Sequence, residues 1–161
     1  MNPDITYTYW ALPSNEEVPT VPLTEVQGRI PIYPSPPHLL IVDDTSDIRL
    51  FLREGLEHYG YDCEEAKHGL DALRKLRASH YDIVLTDLQM PVLDGFELAK
   101  SIRQDPFLGN PIIIMMTASS TDLLAPFALA LGIKNILSKP LSPAEIHQVI
   151  LDEQSRFPNA A

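Results

Sequence analysis

The sequence has few of the residues that support disulfide-bonded or membrane-bound proteins. Its 161 residues include one cysteine, Cys63, which excludes an intramolecular disulfide and fits a reducing compartment. No apolar run approaches the ~20 residues of a membrane helix, and the N-terminus lacks the basic flank and apolar stretch of a signal peptide. These absences predict a soluble cytoplasmic protein. Cys63 is expected to pack as a small apolar side chain of a strand.

Basic residues are also scarce. The chain has 12 Lys and Arg against 22 Asp and Glu, which gives a net charge of −10 at pH 7. Nucleic acids and anionic membranes bind proteins through an excess of Lys and Arg, and so acidic a chain repels them. We therefore expect no binding to nucleic acid and none to membranes.

Proline, by contrast, is abundant in the first part of the chain. Eight of the 15 prolines precede His38, and in IPIYPSPPH they recur at every third position. This spacing favours an extended polyproline II segment, because proline continues neither a helix nor a central strand. Residues 1–37 are predicted to form an arm or linker, residues 38–154 one folded domain, and residues 155–161 a short tail.

From His38 onward, two kinds of apolar pattern alternate. The predicted strands are HLLIV, YDCEEAK, YDIVLTD, PIIIMMTA and IKNILS, and the segments after them repeat apolar residues at helical spacing. PIIIMMTA is apolar almost throughout, as expected for a strand covered on both faces. Five such alternations with short connections predict an α/β fold, a doubly wound parallel sheet with helices on both faces.

Polar residues stand where four of the predicted strands end. Asp43 and Asp44 follow the first strand, Asp87 ends the third, Thr117 the fourth, and Lys139 follows the fifth. Since the carboxyl ends of parallel strands meet at one edge, these groups are predicted to converge. Two carboxylates roughly 4 Å apart repel by about 4 kcal/mol in a partly screened site. Hard oxygen ligands of this kind favour Mg²⁺, so a magnesium site is predicted here.

Magnesium alone does not account for the lysine and the threonine. A carboxylate can accept a phosphoryl group, and such transfer depends on cationic and hydroxyl groups that hold the phosphoryl oxygens. We therefore expect Asp87 to accept a phosphoryl group, with Lys139 and the Thr117 hydroxyl contacting its oxygens.

Residues 38 to about 154 resemble the receiver domain of two-component response regulators, and are similar to the chemotaxis regulator. Four motifs at family spacing carry the resemblance: VDD at 42–44, DLQMPVLDG at 87–95, TA at 117–118 and KP at 139–140. The resemblance implies a flavodoxin-like sheet with strand order 2-1-3-4-5. It also implies phosphorylation of Asp87 by a phosphohistidine of a histidine kinase or a phosphotransfer protein, in the cytoplasm.

The resemblance assigns metal ligands as well. Asp44 and Asp87 would bind Mg²⁺ directly, together with the main-chain carbonyl of Gln89. Asp43 would act largely through water. The family tunes the lifetime of the phosphoryl group at the positions of Gln89 and Ser119, and these two residues do not predict its value.

Two further implied features concern the switch. Thr117 would move toward the phosphoryl group, and the peptide bond between Lys139 and Pro140 would be cis, a form tolerated before proline. The family usually couples the threonine to an aromatic residue three positions before the lysine. This chain departs from the family there, because the position is Ile136.

The predicted fourth helix lacks a polar face. The segment LLAPFALALGI, residues 123–133, contains no charged residue, whereas a surface helix normally keeps one polar face. One interpretation is a short, bent and buried helix, because Pro126 disfavours a helix interior unless the helix begins there. The other is that its apolar face is covered. Three candidates could cover this face: a partner protein, the aromatic segment TYTYWAL of the arm, or a second copy of the chain that contacts Leu123, Leu124, Phe127 and Leu131.

Three other functions fit part of the pattern. A small phosphohydrolase with an aspartate nucleophile also needs Mg²⁺, a lysine and a hydroxyl, but its acid/base aspartate would stand where this chain has Gln89. A flavodoxin-like cofactor binder would need a phosphate-binding loop after the first strand, and none follows. A receiver used only as an interaction module would not need Asp87 and Lys139. We expect no enzymatic activity beyond self-catalysed gain and loss of the phosphoryl group.

The sequence leaves the output of the domain open. The residues after the predicted receiver include no DNA-binding or enzymatic pattern, so both a stand-alone receiver and a receiver from a larger kinase or regulator fit. The histidines do not cluster near the site residues. We expect them at the surface or at helix ends.

Overall fold

Five strands and five α-helices alternate in the computed structural model, which describes residues 35–118 and 125–156, with side chains to residue 154. Nearly all of the predicted arm therefore lies outside the described residues. Among the described helices, none has the length and apolar character needed to cross a bilayer. The elements are β1 His38–Val42, α1 Ser46–His58, β2 Asp62–Ala66, α2 Gly69–Ala78, β3 Ile83–Asp87, α3 Gly95–Gln104, a 3₁₀ turn Pro106–Leu108, β4 Ile112–Thr117, α4 Ala125–Ala130, β5 Asn135–Ser138 and α5 Pro143–Arg156.

The strands form one parallel sheet in the order β2-β1-β3-β4-β5, which confirms the predicted fold. In the register, Val42 lies opposite Thr86, Asp87 opposite Met116, and Thr117 opposite Ser138. The carboxyl ends of β1, β3, β4 and β5 are therefore level with one another. This alignment brings the residues that follow these strands to one edge.

Alternate side chains of the central strands enter two separate cores. Leu40 and Val42 pack with α2, α3 and α4 residues on one face, and Leu39 and Ile41 pack with α1 and α5 residues on the other. All four are fully buried. Since burying one such side chain is worth about 1.5–3 kcal/mol, the two cores hold the strands, and hence the site at their ends, in place.

Helices α1 and α5 pack closely at the start of α5. A Cβ atom at Gly55 would lie 2.2 Å from Cγ of Pro143, so only glycine fits this contact. Pro143 occupies the first turn of α5, where proline is well tolerated. Ser142 and Glu145 close this end reciprocally, with the Ser142 N–H donating to Glu145 Oε2 at 2.8 Å and the Glu145 N–H donating to Ser142 Oγ at 3.3 Å.

The described part of α4 runs from Ala125 to Ala130, with Pro126 as its second residue. Ala128 is fully buried, but Phe127 is 67% and Leu129 65% exposed. The interpretation of a well-buried fourth helix is therefore wrong for these two side chains. Two of the predicted dimer contacts, Leu123 and Leu124, lie outside the described residues, as does the aromatic segment of the arm. Of the other two, Phe127 is exposed and Leu131 packs partly against the core.

A group of aromatic side chains joins α5 to the segment between α1 and β2. His147 is buried, stacks on Tyr59 at 4.3 Å, and its Nδ1 lies 2.8 Å from the hydroxyl oxygen of Tyr61. The prediction that the histidines lie at the surface or at helix ends is wrong for His147. Cys63 lies in β2 as predicted and is partly buried. Burial raises the pKa of its thiol to about 12, which keeps the thiol neutral.

Candidate functional site

The predicted polar residues lie along the carboxyl edge of the sheet. Asp43 follows β1, Asp87 is the last residue of β3, Thr117 ends β4 and Lys139 follows β5. Main-chain hydrogen bonds tie these strand ends together: the Leu88 N–H donates to the Met116 carbonyl at 2.8 Å, and the Lys139 N–H donates to the Thr117 carbonyl at 2.7 Å. The side chains thus start from a rigid edge rather than from loose loops.

Lys139 joins the ends of β1 and β3. Its Nζ donates to Oδ2 of Asp43 at 2.7 Å and lies 3.2 Å from Oδ1 of Asp87. Burial acts to lower the pKa of this lysine, but the hydrogen bond and charge of Asp43, aided by Asp87, outweigh it and raise the pKa above its ordinary value. The side chain is therefore a fixed cation shared by two carboxylates.

Asp43, Asp44 and Asp87 form an acidic cluster. Each offers a carboxylate oxygen, and these oxygens lie within 4.8 Å of one another. Burial raises the pKa of Asp87, and the charge of Asp43 adds to the effect, while Lys139 opposes it. Three carboxylates face one ammonium group, so a divalent cation would balance the remaining charge. Hard oxygen donors with Asp44 on the exposed side fit Mg²⁺, which keeps several waters.

Asp43 is fixed from several directions. It is fully buried, its Oδ1 accepts the Thr45 N–H at 2.9 Å, and its own N–H donates to the Ala66 carbonyl at 3.2 Å. Its main-chain carbonyl accepts from Nη1 of Arg49 at 2.7 Å. Arg49 was not among the site residues predicted from the sequence. The available signal was an arginine in the first turns of the helix that follows the aspartate pair.

The loop between β3 and α3 is shaped by close backbone packing. A Cβ atom at Gly95 would lie 2.4 Å from the carbonyl oxygen of Asp87, so the loop requires glycine there. Asp94 caps α3 by accepting the Glu97 N–H at 2.9 Å. Gln89 lies in this loop, two residues beyond Asp87, with its side chain exposed. This packing holds the main chain next to the Asp87 carboxylate.

The remaining predicted residues surround the end of β5. The peptide bond between Lys139 and Pro140 is cis, as expected. Thr117 is fully buried at the end of β4. Ile136, at the position where an aromatic residue was expected from the family, packs partly buried against the core on the α2, α3 and α4 side. Ser119 lies outside the described residues.

Comparison with known families gives one clear match. Residues 39–151 match the family model described as "Response regulator receiver domain". This range covers the candidate site and all five strands except His38, the first residue of β1.

Curated relatives include both regulators and a sensor. The chain is 35% identical over 109 residues to the alkaline phosphatase synthesis transcriptional regulatory protein PhoP of Bacillus subtilis, covering 68% of this chain and 45% of that protein. It is 40% identical over 108 residues to a transcriptional regulatory protein CpxR homolog of Haemophilus influenzae, covering 67% and 46%. It is 34% identical over 147 residues to the sensor protein EvgS of Escherichia coli, covering 84% and 12%. The chain thus spans less than half the length of these relatives.

Solved structures agree with this assignment. Chemotaxis protein CheY4 of Vibrio cholerae matches with a TM-score of 0.68 and 29% identity, covering 73% of this chain and 98% of that one. A CheY-like receiver domain protein from Methanospirillum hungatei matches with a TM-score of 0.67 and 29% identity, covering 76% and 98%. The sheet order, the residues at its carboxyl edge and the match over residues 39–151 lead to one conclusion: this chain belongs to the response-regulator receiver domain family of two-component signalling.

Proposed function

We propose that the protein is a phosphoacceptor receiver in which Asp87 takes a phosphoryl group from a phosphohistidine. The observation that carries this proposal is the place of Asp87 at the end of β3, with Oδ1 3.2 Å from the Lys139 ammonium. A carboxylate oxygen of Asp87 would attack phosphorus, so that an O–P bond forms as the N–P bond breaks. The electron pair of that bond stays on the imidazole nitrogen, which takes up a proton.

Lys139 and Thr117 would hold the transferred group. The ammonium of Lys139 is already oriented by its 2.7 Å hydrogen bond to Asp43, so contacting a phosphoryl oxygen requires little reorganisation. The Thr117 hydroxyl would donate to a second phosphoryl oxygen. Its movement would signal the phosphorylated state without the usual aromatic partner, since Ile136 stands at that position.

Asp44 and Asp87 would hold Mg²⁺ together with the main-chain carbonyl of Gln89, and Asp43 would act largely through water. The three clustered carboxylates support this proposal, because their oxygens lie within 4.8 Å of one another and are the donors that Mg²⁺ prefers. When bound, Mg²⁺ supplies positive charge to the phosphoryl oxygens and to the acidic cluster.

The donor would be a histidine kinase or a phosphotransfer protein in the cytoplasm. The similarity to a sensor protein and to transcriptional regulators supports a place in such a relay. We also propose that the apolar face of α4, with Phe127 exposed, contacts another protein, and that a second copy of the chain is one candidate. Comparing the sedimentation of the wild type with that of Phe127→Ser, with and without phosphorylation, tests the homodimer.

The phosphohydrolase alternative has less support. Its acid/base aspartate would stand two residues after the nucleophile, where the chain has Gln89. We therefore propose no enzymatic activity beyond self-catalysed gain and loss of the phosphoryl group. An interaction-only receiver would not need the contact between Lys139 and Asp87 for its function.

Intact mass measurement with acetyl phosphate tests these functions. With Mg²⁺, the wild type is expected to gain one phosphoryl group, and Asp87→Asn none. Asp152→Asn is a matched control, because Asp152 is an exposed aspartate on α5, and it should gain the group like the wild type. Steady release of phosphate from small esters without an adduct would support the hydrolase instead. No adduct and no turnover would support the interaction module.

A further inference from the structure

A three-residue contact chain links the edge strand β2 to the aspartate pair. Arg49 of α1 donates from Nη1 to the main-chain carbonyl of Asp43 at 2.7 Å and from Nε to Oε2 of Glu65 at 3.0 Å. The Arg49 side chain is only 15% exposed. We infer that Arg49 is a positioning residue for the metal ligand Asp44, oriented by Glu65. This inference rests on the proposed function.

The carbonyl that Arg49 holds belongs to the peptide that joins Asp43 to Asp44. Because a peptide group is planar, fixing its oxygen fixes the direction in which the chain leaves for Asp44. The Asp43 side chain is held independently, by the Thr45 N–H and by Lys139. Arg49 therefore supplies the constraint that those two contacts do not, namely the orientation of the peptide that precedes Asp44.

Arginine suits this role because its guanidinium presents several donors in a planar fork. Nε donates to the Glu65 carboxylate, and Nη1 donates to the carbonyl of Asp43. A charge-assisted pair with Glu65 holds the fork in one orientation. Glu65 is paired with Ile41 in the sheet register, so this anchor stands on a strand rather than on a loop.

Arg53 provides an internal comparison. It lies one turn after Arg49 on α1 and also pairs with Glu65, with Nη1 3.3 Å from Oε1. Its side chain is 39% exposed, and its ion pair is with Glu65 rather than with the aspartate pair. A substitution at Arg53 removes a similar charge and a contact with the same partner, Glu65. It leaves the hydrogen bond from Arg49 to the Asp43 carbonyl in place.

The test measures Mg²⁺ affinity by isothermal titration calorimetry on the full chain. The free energy of unfolding in EDTA is measured for the same proteins. Arg49→Gln is expected to weaken Mg²⁺ binding by about tenfold or more, the usual scale for residues that orient metal ligands. Arg49→Lys keeps the charge but not the fork and should recover only part of the affinity. Arg53→Gln should bind within about twofold of the wild type, since it does not orient a ligand.

Phosphorylation gives a second readout. In Arg49→Gln the Mg²⁺ concentration for half-maximal phosphorylation by acetyl phosphate should rise with the dissociation constant, while the rate at saturating Mg²⁺ stays near the wild type. Glu65→Gln should weaken Mg²⁺ binding by several-fold, and the double variant should bind no more weakly than Arg49→Gln alone, because both act through one contact.

Equal Mg²⁺ affinity in the wild type and Arg49→Gln would overturn the inference, as would equal losses in Arg49→Gln and Arg53→Gln. Should Arg49→Gln not fold, unchanged affinity in Glu65→Gln overturns it and a several-fold loss supports it. If the wild type neither binds Mg²⁺ nor gains a phosphoryl group, the proposed function itself is wrong. This outcome needs no variant, so it is distinct from a failure of the inference about Arg49.

Discussion

Removing the charge of Lys139 should destabilise the protein and, in the same step, strengthen its affinity for a divalent cation. Nζ of Lys139 lies 2.7 Å from Oδ2 of Asp43, a fully buried carboxylate, and 3.2 Å from Oδ1 of Asp87. In Lys139→Met the cluster of three carboxylates loses its ammonium group. The variant therefore shows both how much the pair contributes and how strongly the site attracts a cation.

The magnitude follows from the burial of the pair. Breaking a buried ion pair by removing one partner costs about 3–5 kcal/mol, because the other charge stays buried without compensation. The lysine is 20% exposed and Asp43 keeps its hydrogen bond from the Thr45 N–H, so we expect the lower end, about 3 kcal/mol. Added Mg²⁺ should stabilise the variant more than the wild type, since the acidic cluster is then more negative by one charge.

Urea unfolding followed by circular dichroism, in EDTA and in excess Mg²⁺, measures both effects. Lys100→Met is the matched control, because Lys100 is an exposed lysine on α3 whose Nζ lies 3.9 Å from Oε1 of Glu97. Its loss should cost less than about 1 kcal/mol, as for surface pairs. A loss in Lys139→Met in EDTA no larger than that of this control would contradict the expected destabilisation. Weaker stabilisation of the variant than of the wild type by Mg²⁺ would contradict the expected gain in affinity.

Two further predictions concern the face formed by α1 and α5. Gly55→Ala would place a Cβ 2.2 Å from Cγ of Pro143, and we expect a loss of about 1–3 kcal/mol in urea unfolding; an unchanged midpoint would contradict this packing. Burial lowers the pKa of His147, which faces Tyr59 and Tyr61, so the unfolded chain binds a proton at a higher pH than the folded one. The free energy of unfolding should therefore be fully maintained above the ordinary histidine pKa of about 6.5 and fall as the pH drops through it, and His147→Phe should remove this part of the slope. An equal pH dependence of the free energy of unfolding in the wild type and in His147→Phe would contradict the lowered pKa of His147.

The residues at the carboxyl edge of the sheet could be predicted because short stretches of the sequence identify them. Apolar runs mark the strands, so the end of each run identifies the residue at the carboxyl end of that strand. Parallel strands place Asp43, Asp87 and Lys139 at the same edge, and the strand order implied by the family resemblance brings them close. The structure places the lysine ammonium within 3.2 Å of both carboxylates.

The contacts that the sequence did not reveal are between side chains of different elements. Arg49 and Glu65 are 16 positions apart, on a helix and on a strand, and no spacing rule links them. His147 carries no local mark of burial, because its position depends on how α5 rotates over Tyr59 and Tyr61. Such contacts follow from tertiary packing, which sequence periodicity does not encode.

The proposed function requires a covalent bond between phosphorus and one aspartate, so the key experiment locates the modified residue. After brief phosphorylation by acetyl phosphate with Mg²⁺, borohydride reduction converts an aspartyl phosphate to homoserine, and peptide mass spectrometry identifies the position. We predict conversion at Asp87 and at no other aspartate of the chain. Phosphorylated protein whose converted residue is Asp43 or Asp44, or which carries no converted residue, would contradict the account.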